Sequence, residues 1–331
     1  MNLERRLEIF YCGGMISMND FDFEDLERHY NNLWQEGKIE KALEKVKNAA
    51  EKYPKEEYTI NLDLAALYLE LEEYDKADRI LQKSFDKGYW YPEVYIKQIF
   101  EKERFSKLVE QWKNLKHKAE KEVELDYIVE EPVDYEESKD YPLFIALHSW
   151  GANTKLLRNY WYSNKLQKRY IVVYPRSTQI VGMKNYCWDD LQKSIEDINT
   201  VYQEISQKYD IDDSQIIVGG FSQGAGLALK MIFNQTKIPI KGFVSLCPPV
   251  MEPYSEEEIK RGVRENVRGV IIAGEKDPSY PRQEEEVERL EEYGLPVSFE
   301  VIKDLDHWFP EELSDYIDDA LDFINDSNGY K

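Results

Sequence analysis

The stretch GGFSQGAG, residues 219–226, follows the apolar run QIIV and leads into helix-forming residues. A serine between glycines at 220 and 224 is either an ordinary tight turn or, set between a strand and a helix, an arrangement that exposes a nucleophilic hydroxyl. With a strand at Gln215–Val218 and a helix at Ala225–Phe233, the chain turns sharply at Ser222 and exposes its hydroxyl. Side chains at Gly220 and Gly224 would collide with the neighbouring strand and helix. The start of that helix points its free amides and the positive end of its dipole at developing negative charge. Such a hydroxyl is a weak nucleophile by itself. It needs a base to take its proton and an acid to orient the base. The chain has four histidines, at positions 29, 117, 148 and 307, and only His307 lies beyond Ser222. It sits in DLDHWFPEEL, after the strand VSFEVI and before a terminal helix. For the acid, AGEKDPSYP follows the strand GVIIAG and offers Asp277 first and Glu275 second. Asp304 and Asp306 stand too close to His307 in sequence to orient it. Two backbone amides must hold an oxyanion. That of Gln223 comes just after the serine. That of Trp150, in His148-Ser149-Trp150-Gly151, comes after the strand PLFIALH. His148 itself reads as a residue that holds this loop.

The elements that must position these residues divide the chain in two. From Asp22 to about Lys121 the sequence is rich in Glu, Lys, Leu, Ala and Tyr at helical spacing. Beyond Glu122, the apolar strands PLFIALH, YIVVYP, QIIVGG, GFVSLCP, GVIIAG and VSFEVI alternate with helical stretches. That alternation predicts a largely parallel α/β sheet. The expected organisation is a leader at 1–18, an all-α domain at 19–121 and an α/β domain at 122–331. The leader is expected to be disordered or artefactual, with translation starting at Met15 or Met18. The junction at 118–123 is short and charged, with no Gly- or Ser-rich linker, so the two parts are expected to pack together.

Within the helical half, LWQEGKIEKALEKVKNAAEKYP and LYLELEEYDKADRILQKSFDKGY align with Ala42 over Ala77. Ile39 falls over Tyr74 and Ala49 over Ser84. Small residues there let paired helices approach closely, and Pro54 stops the second helix. The pattern resembles the tetratricopeptide repeat, with its period of about 34 residues, over residues 24–116, and ERFSKLVEQWKNL is a weaker third unit. These hairpins either brace one another and the sheet domain or offer a concave face to a protein or peptide partner.

Composition narrows the function further. A formal net charge of -22 argues against a nucleic-acid partner and against adsorption to anionic membranes. No segment reaches the roughly 18 apolar residues of a membrane helix. Cys12, Cys187 and Cys247 are scattered and odd in number, with neither disulfide nor metal spacing, which fits a reducing cytoplasm. Cys247 reads as packing. No metal and no cofactor is expected.

LHSWGAN, GGFSQGAG, AGEKDPSYP and DHWFP together resemble the α/β-hydrolase superfamily over residues 122–328. Within it they are most similar to the carboxylesterase, phospholipase and acyl-protein-thioesterase group. The departures are Ser149 and Asp306, each at a position where glycine is commoner. The resemblance implies the order nucleophile, acid, base, hence Ser222, Asp277, His307. It also implies a mostly parallel sheet sandwiched by helices and hydrolysis of a carboxylic ester through an acyl-enzyme. Thioester or lysophospholipid substrates, and less readily peptides, suit the same residues. A repeat-mediated binding protein with a vestigial hydrolase is the non-catalytic alternative. No inserted cap separates GFVSLCP from GVIIAG. Tyr186, Trp188, Phe221 and Trp308 are expected on loops near the top of the sheet, where they would either line a substrate pocket or fill the loop–sheet interface.

Overall fold

A computed structural model describes residues 18–234, 236–249 and 254–326. The expected leader through residue 17, with Cys12 and Met15, lies outside the described residues, and Met18 opens the first helix. The chain divides into two compact units, Met1–Lys118 and Ala119–Lys331.

In the first unit the helices are α1 (Met18–Gln35), α2 (Ile39–Lys52), α3 (Glu57–Glu70), α4 (Tyr74–Asp86), the short α5 (Glu93–Ile96) and most of α6 (Ser106–Glu122). α2 buries Ala42, Leu43, Val46 and Ala49, and α4 buries Ala77, Leu81, Ser84 and Phe85. This is the stripe an amphipathic helix presents to its neighbours. Both copies close their first helix in the same way. The Lys38 N–H bonds the Leu33 carbonyl and the Glu73 N–H bonds the Tyr68 carbonyl, each at 2.8 Å. The left-handed residue of that cap is Gly37 (φ 73°) in one copy and Glu72 (φ 57°) in the other. Only the glycine occupies it without strain. Pro54 opens a 3-10 turn (Pro54–Glu56) rather than continuing α2. Between α1 and α3, the Tyr30 hydroxyl donates to Asp63 Oδ2 at 2.5 Å. Burial pushes the Asp63 carboxyl up to about 7.

The second unit holds strands β1 (Asp126–Glu130), β2 (Tyr141–Leu147), β3 (Ile171–Arg176), β4 (Gln179–Gly182), β5 (Asn185–Cys187), β6 (Ile211–Phe221), β7 (Ile240–Leu246), β8 (Arg268–Gly274) and β9 (Val297–Ile302). Among the described residues the main sheet runs β1-β3-β2-β6-β7-β8-β9. Only β1, paired with β3, is antiparallel. β4 and β5 form a separate hairpin. The helices are α7 (Thr154–Tyr160), α8 (Asn164–Arg169), α9 (Leu191–Lys208), α10 (Gln223–Phe233), α11 (Glu256–Arg264), α12 (Tyr280–Glu292) and α13 (Leu313–Asn325). Successive strand residues serve opposite faces. Leu143, Ile145, Ile216 and Val218 pack with α9, α10, α11 and α12, and Phe144, Ala146, Ile217 and Val244 pack with α7, α8 and α13. Strands buried on both faces read as unbroken apolar runs, which is why these were visible in sequence.

The structure differs from expectation at the edges and at one turn. β1 is half-exposed and β4–β5 is short and carries polar residues, so neither has a buried strand's pattern. β6 also runs through the glycines to Phe221, and α10 begins at Gln223, leaving Ser222 alone as the turn. Gly219 and Gly220 stay in register with Ala146 and Leu147 of β2. Glycine usually weakens a strand, but here neighbouring atoms come too close for any side chain.

Candidate active site

Ser222 adopts φ 53° and ψ −120°, an unusual conformation for a residue with a side chain. Its N–H bonds the Leu246 carbonyl at 3.0 Å, and its own carbonyl accepts from the Gly226 N–H at 3.0 Å. A Cβ at Gly220 would lie 2.6 Å from the Leu147 carbonyl oxygen. One at Gly224 would lie 2.1 Å from that oxygen and 2.7 Å from the His148 oxygen. Glycine at both positions is therefore required by close approach of backbone, and that approach sets the first turn of α10 against the loop after β2.

Ser222, Asp277 and His307 follow β6, β8 and β9, at the carboxyl ends of parallel strands. His307 Nε2 lies 2.9 Å from Ser222 Oγ, and His307 Nδ1 lies 2.8 Å from Asp277 Oδ2. A carboxylate accepts only, so Nδ1 carries the proton and Nε2 accepts from the hydroxyl. The Asp277 carboxylate is 1% exposed, whereas the His307 side chain is 36% exposed. Burial works against ionisation of Asp277. Hydrogen bonds from His307, from the Ser279 N–H (2.8 Å) and from the Gln283 amide (3.3 Å) outweigh it and hold the carboxyl below its ordinary range. Glu275, the second choice, accepts instead from the Asp304 N–H at 3.1 Å.

Gln283 carries no local signal, being one polar residue in the acidic helical run QEEEVE. Yet it is 4% exposed, and its Nε2 donates to both Asp277 and the Pro248 carbonyl, the latter at 2.7 Å. With Tyr254, Glu286 and Arg289 it also lines a cavity of ≈ 140 Å³.

Cys247 is fully buried, and burial together with the Asp277 charge pushes its thiol up to about 12. Among the described residues, Cys247, Asp277 and His307 form a group of potential metal donors within 4.8 Å of one another. The thiol is protonated at neutral pH and the other two bond each other, so the cluster reads as an acid–base pair with a packed neighbour.

His148 lies at 0% exposure, stacked on Trp188 at 4.6 Å between ring centroids. Burial drives its pKa down to about 4, so the ring is neutral. Its Nε2 accepts from the Ser177 N–H at 3.3 Å, and Nδ1 donates to the Ser149 carbonyl at 2.9 Å. Trp150 lies in the loop this ring holds. Of the four aromatics expected on the rim, Tyr186 and Trp188 are buried around His148. Phe221 and Trp308 stand beside His307 instead. The Phe221 ring lies 5.1 Å from the His307 ring and 4.3 Å from Phe309, which stacks on Tyr160 at 4.3 Å.

A family model described as phospholipase/carboxylesterase matches residues 130–328, well over half of the chain. The chain belongs to that family. A tetratricopeptide repeat model matches residues 33–87 of the helical unit. No curated protein matches. Among solved structures, an uncharacterized protein from Bacillus cereus shares 23% identity at a TM-score of 0.52, covering 92% of this chain and 99% of that one. Esterase PE8 shares 15% identity at a TM-score of 0.48, over 60% of this chain and all (100%) of its own. A phospholipase/carboxylesterase from Dyadobacter fermentans shares 18% identity at a TM-score of 0.44, over 60% and 96%. By its family model and its mostly parallel sheet, the phospholipase/carboxylesterase unit has the α/β-hydrolase fold and is a hydrolase of the esterase and phospholipase group, joined to tetratricopeptide-like helices. Among the described residues, no helix is long and apolar enough to cross a membrane.

Proposed function

We propose that this chain is a serine hydrolase that cleaves carboxylic esters, with Ser222 as nucleophile, His307 as base and Asp277 as the acid that orients it. The observation that carries the reading is the continuous hydrogen-bonded line from Ser222 Oγ through His307 to Asp277, at 2.9 and 2.8 Å. His307 Nε2 takes the hydroxyl proton as Oγ attacks the ester carbonyl, and the Asp277 carboxylate stabilises the imidazolium. The amides of Gln223 and Trp150 hold the oxyanion. Nε2 returns the proton to the leaving alcohol, and water, activated by the same base, releases the acid. The low range of Asp277 keeps it ionised throughout, as an orienting group must be.

Tyr160 and Trp308, both half-buried, pack over the buried rings of Phe221 and Phe309 beside His307, an apolar setting suited to an acyl chain or an aromatic acid. A thioester or lysophospholipid substrate would use the same groups. In the helical unit, the repeats offer a surface for a protein or peptide partner. A cytoplasmic setting accords with the two buried free thiols, Cys187 and Cys247.

The decisive experiment is labelling with a fluorophosphonate, followed by a p-nitrophenyl ester series of rising acyl length. Wild type is expected to label and Ser222→Ala to remain unlabelled. Labelling that survives the substitution removes Ser222 as the nucleophile. Activity that persists to long acyl chains favours the lysophospholipid reading over small esters.

A further inference from the structure

We propose that the side chain of Gln223, and not only its backbone amide, serves the reaction. It acts as a positioning group that locks the loop carrying Trp150 through the segment following the β4–β5 hairpin. The inference rests on the serine-hydrolase reading and adds a role to a residue whose amide alone drew attention in sequence.

The loop after β2 leaves the sheet at His148, and its partners lie in residues 184–188. The Gly151 N–H bonds the Tyr186 carbonyl at 2.8 Å, and the Tyr186 N–H bonds the Ala152 carbonyl at 3.0 Å. Asn185 Nδ2 donates to the Gly151 carbonyl. Trp188 Nε1 donates to the His148 carbonyl at 2.8 Å while its ring stacks on His148. The loop geometry is therefore borrowed from residues 185–188. Those residues pair with β4 on one side, and at Trp188 and Asp189 the chain is also anchored to the elbow itself. Gln223 Oε1 accepts from the Trp188 N–H at 2.9 Å, and Gln223 Nε2 donates to Asp189 Oδ1 at 2.7 Å.

One residue thus supplies one oxyanion amide from its backbone and ties down the loop of the other with its side chain. The chemistry calls for glutamine. The position must accept from a backbone N–H and donate to a carboxylate at the same time, and an uncharged side-chain amide of this length does both. Glutamate would still accept from Trp188 but would set a second negative charge against Asp189. An oxyanion donor displaced by about 1 Å costs on the order of 100-fold in rate, so a loose loop would be felt in kcat rather than in substrate binding.

The test uses the full chain with p-nitrophenyl butyrate. Gln223→Met removes both bonds and keeps the backbone amide and approximate volume. It is expected to lower kcat by about 10- to 100-fold with KM little changed. Its pH profile should keep its low-pH limb, since His307 and Asp277 are untouched. Gln223→Glu should fall similarly. Adding Asp189→Asn to Gln223→Glu restores a donor–acceptor pair with the roles reversed and should recover most of the lost kcat. Full kcat in Gln223→Met overturns the inference. So does a loss accompanied by a shifted low-pH limb, a loss matched by an equal loss of folded protein, or no recovery in the double variant. Fluorophosphonate labelling of Ser222→Ala, run in parallel, separates the two levels. If it persists, the hydrolase reading falls and takes this inference with it. If it is abolished while Gln223→Met is fully active, this inference falls alone.

Discussion

His148 and His307 follow two strands of the same parallel sheet, and in each both ring nitrogens are hydrogen-bonded. Their partners differ in kind. His307 meets a hydroxyl and a carboxylate, and its side chain is 36% exposed. His148 meets a backbone N–H and a backbone carbonyl, and it is fully buried against Trp188. Side chains that can lose or hold a proton make the first histidine a candidate base. Peptide groups, which exchange no proton on the timescale of catalysis, make the second a brace. The lesson is that the partner set, more than the residue type or the strand end, separates chemistry from architecture.

The contrast can be broken most sharply at its reactive end. Ser222→Ala should lower kcat by about 10⁶-fold in ester hydrolysis, and a residual rate near wild type would erase the distinction. Asp277→Asn keeps the shape but reverses the hydrogen bond, leaving His307 in the wrong tautomer. A loss of about 10⁴-fold in kcat with little change in KM is expected. At the architectural end, His148→Asn should cost roughly 1–3 kcal/mol in urea unfolding, through lost packing and an altered partner for the Ser177 N–H. It should reduce kcat far less than Asp277→Asn does. Gln283→Leu is expected to have the smallest effect, within about tenfold in kcat. Because its amide favours the ionised Asp277, its removal should move the low-pH edge of activity upward.

The two histidines also predict a difference in acid sensitivity. The pKa of His148 is about 4 in the folded protein, against an ordinary value of 6.5. Above 6.5 the ring is neutral in both states. As pH falls from 6.5 towards 4, the unfolded chain takes up a proton that the folded protein refuses, and stability is lost by up to about tenfold in the folding constant per pH unit. Glu286 and Asp63, each pushed up to about 7 by burial, act in the opposite direction over much of that window. The measurement is therefore the difference between wild type and His148→Asn in urea midpoints across the window, which should shrink as the pH falls. Asp277, held below its ordinary 3.8, contributes stability that is lost only at lower pH.

Much of the fold was legible because burial leaves a local trace. The central stretches of β2, β3, β6, β7 and β8 are largely apolar because both faces are covered there, and Ala42 and Ala77 mark close helix contacts at repeat spacing. The β4–β5 hairpin left no such trace, being short and partly polar, although it holds the loop after β2. Gln283 and the side-chain bonds of Gln223 were equally hidden. A glutamine on a helix or at a turn looks the same in sequence whether its amide meets water or a buried carboxylate.

What the sequence determined by itself was the alternation of strand and helix, the repeat, and the order of Ser222, Asp277 and His307 along the chain. These follow from residue identity and from steric periods of a few residues. Only the tertiary structure decided that Asp277 rather than Glu275 meets His307, that His148 bonds backbone groups alone, and that Trp188 packs beneath a loop while Trp308 stands beside His307. Those outcomes depend on the spatial order β2-β6-β7-β8-β9 and on the separate β4–β5 hairpin, which bring loops far apart in sequence together. Strand neighbours are chosen by long-range packing, which no local pattern encodes.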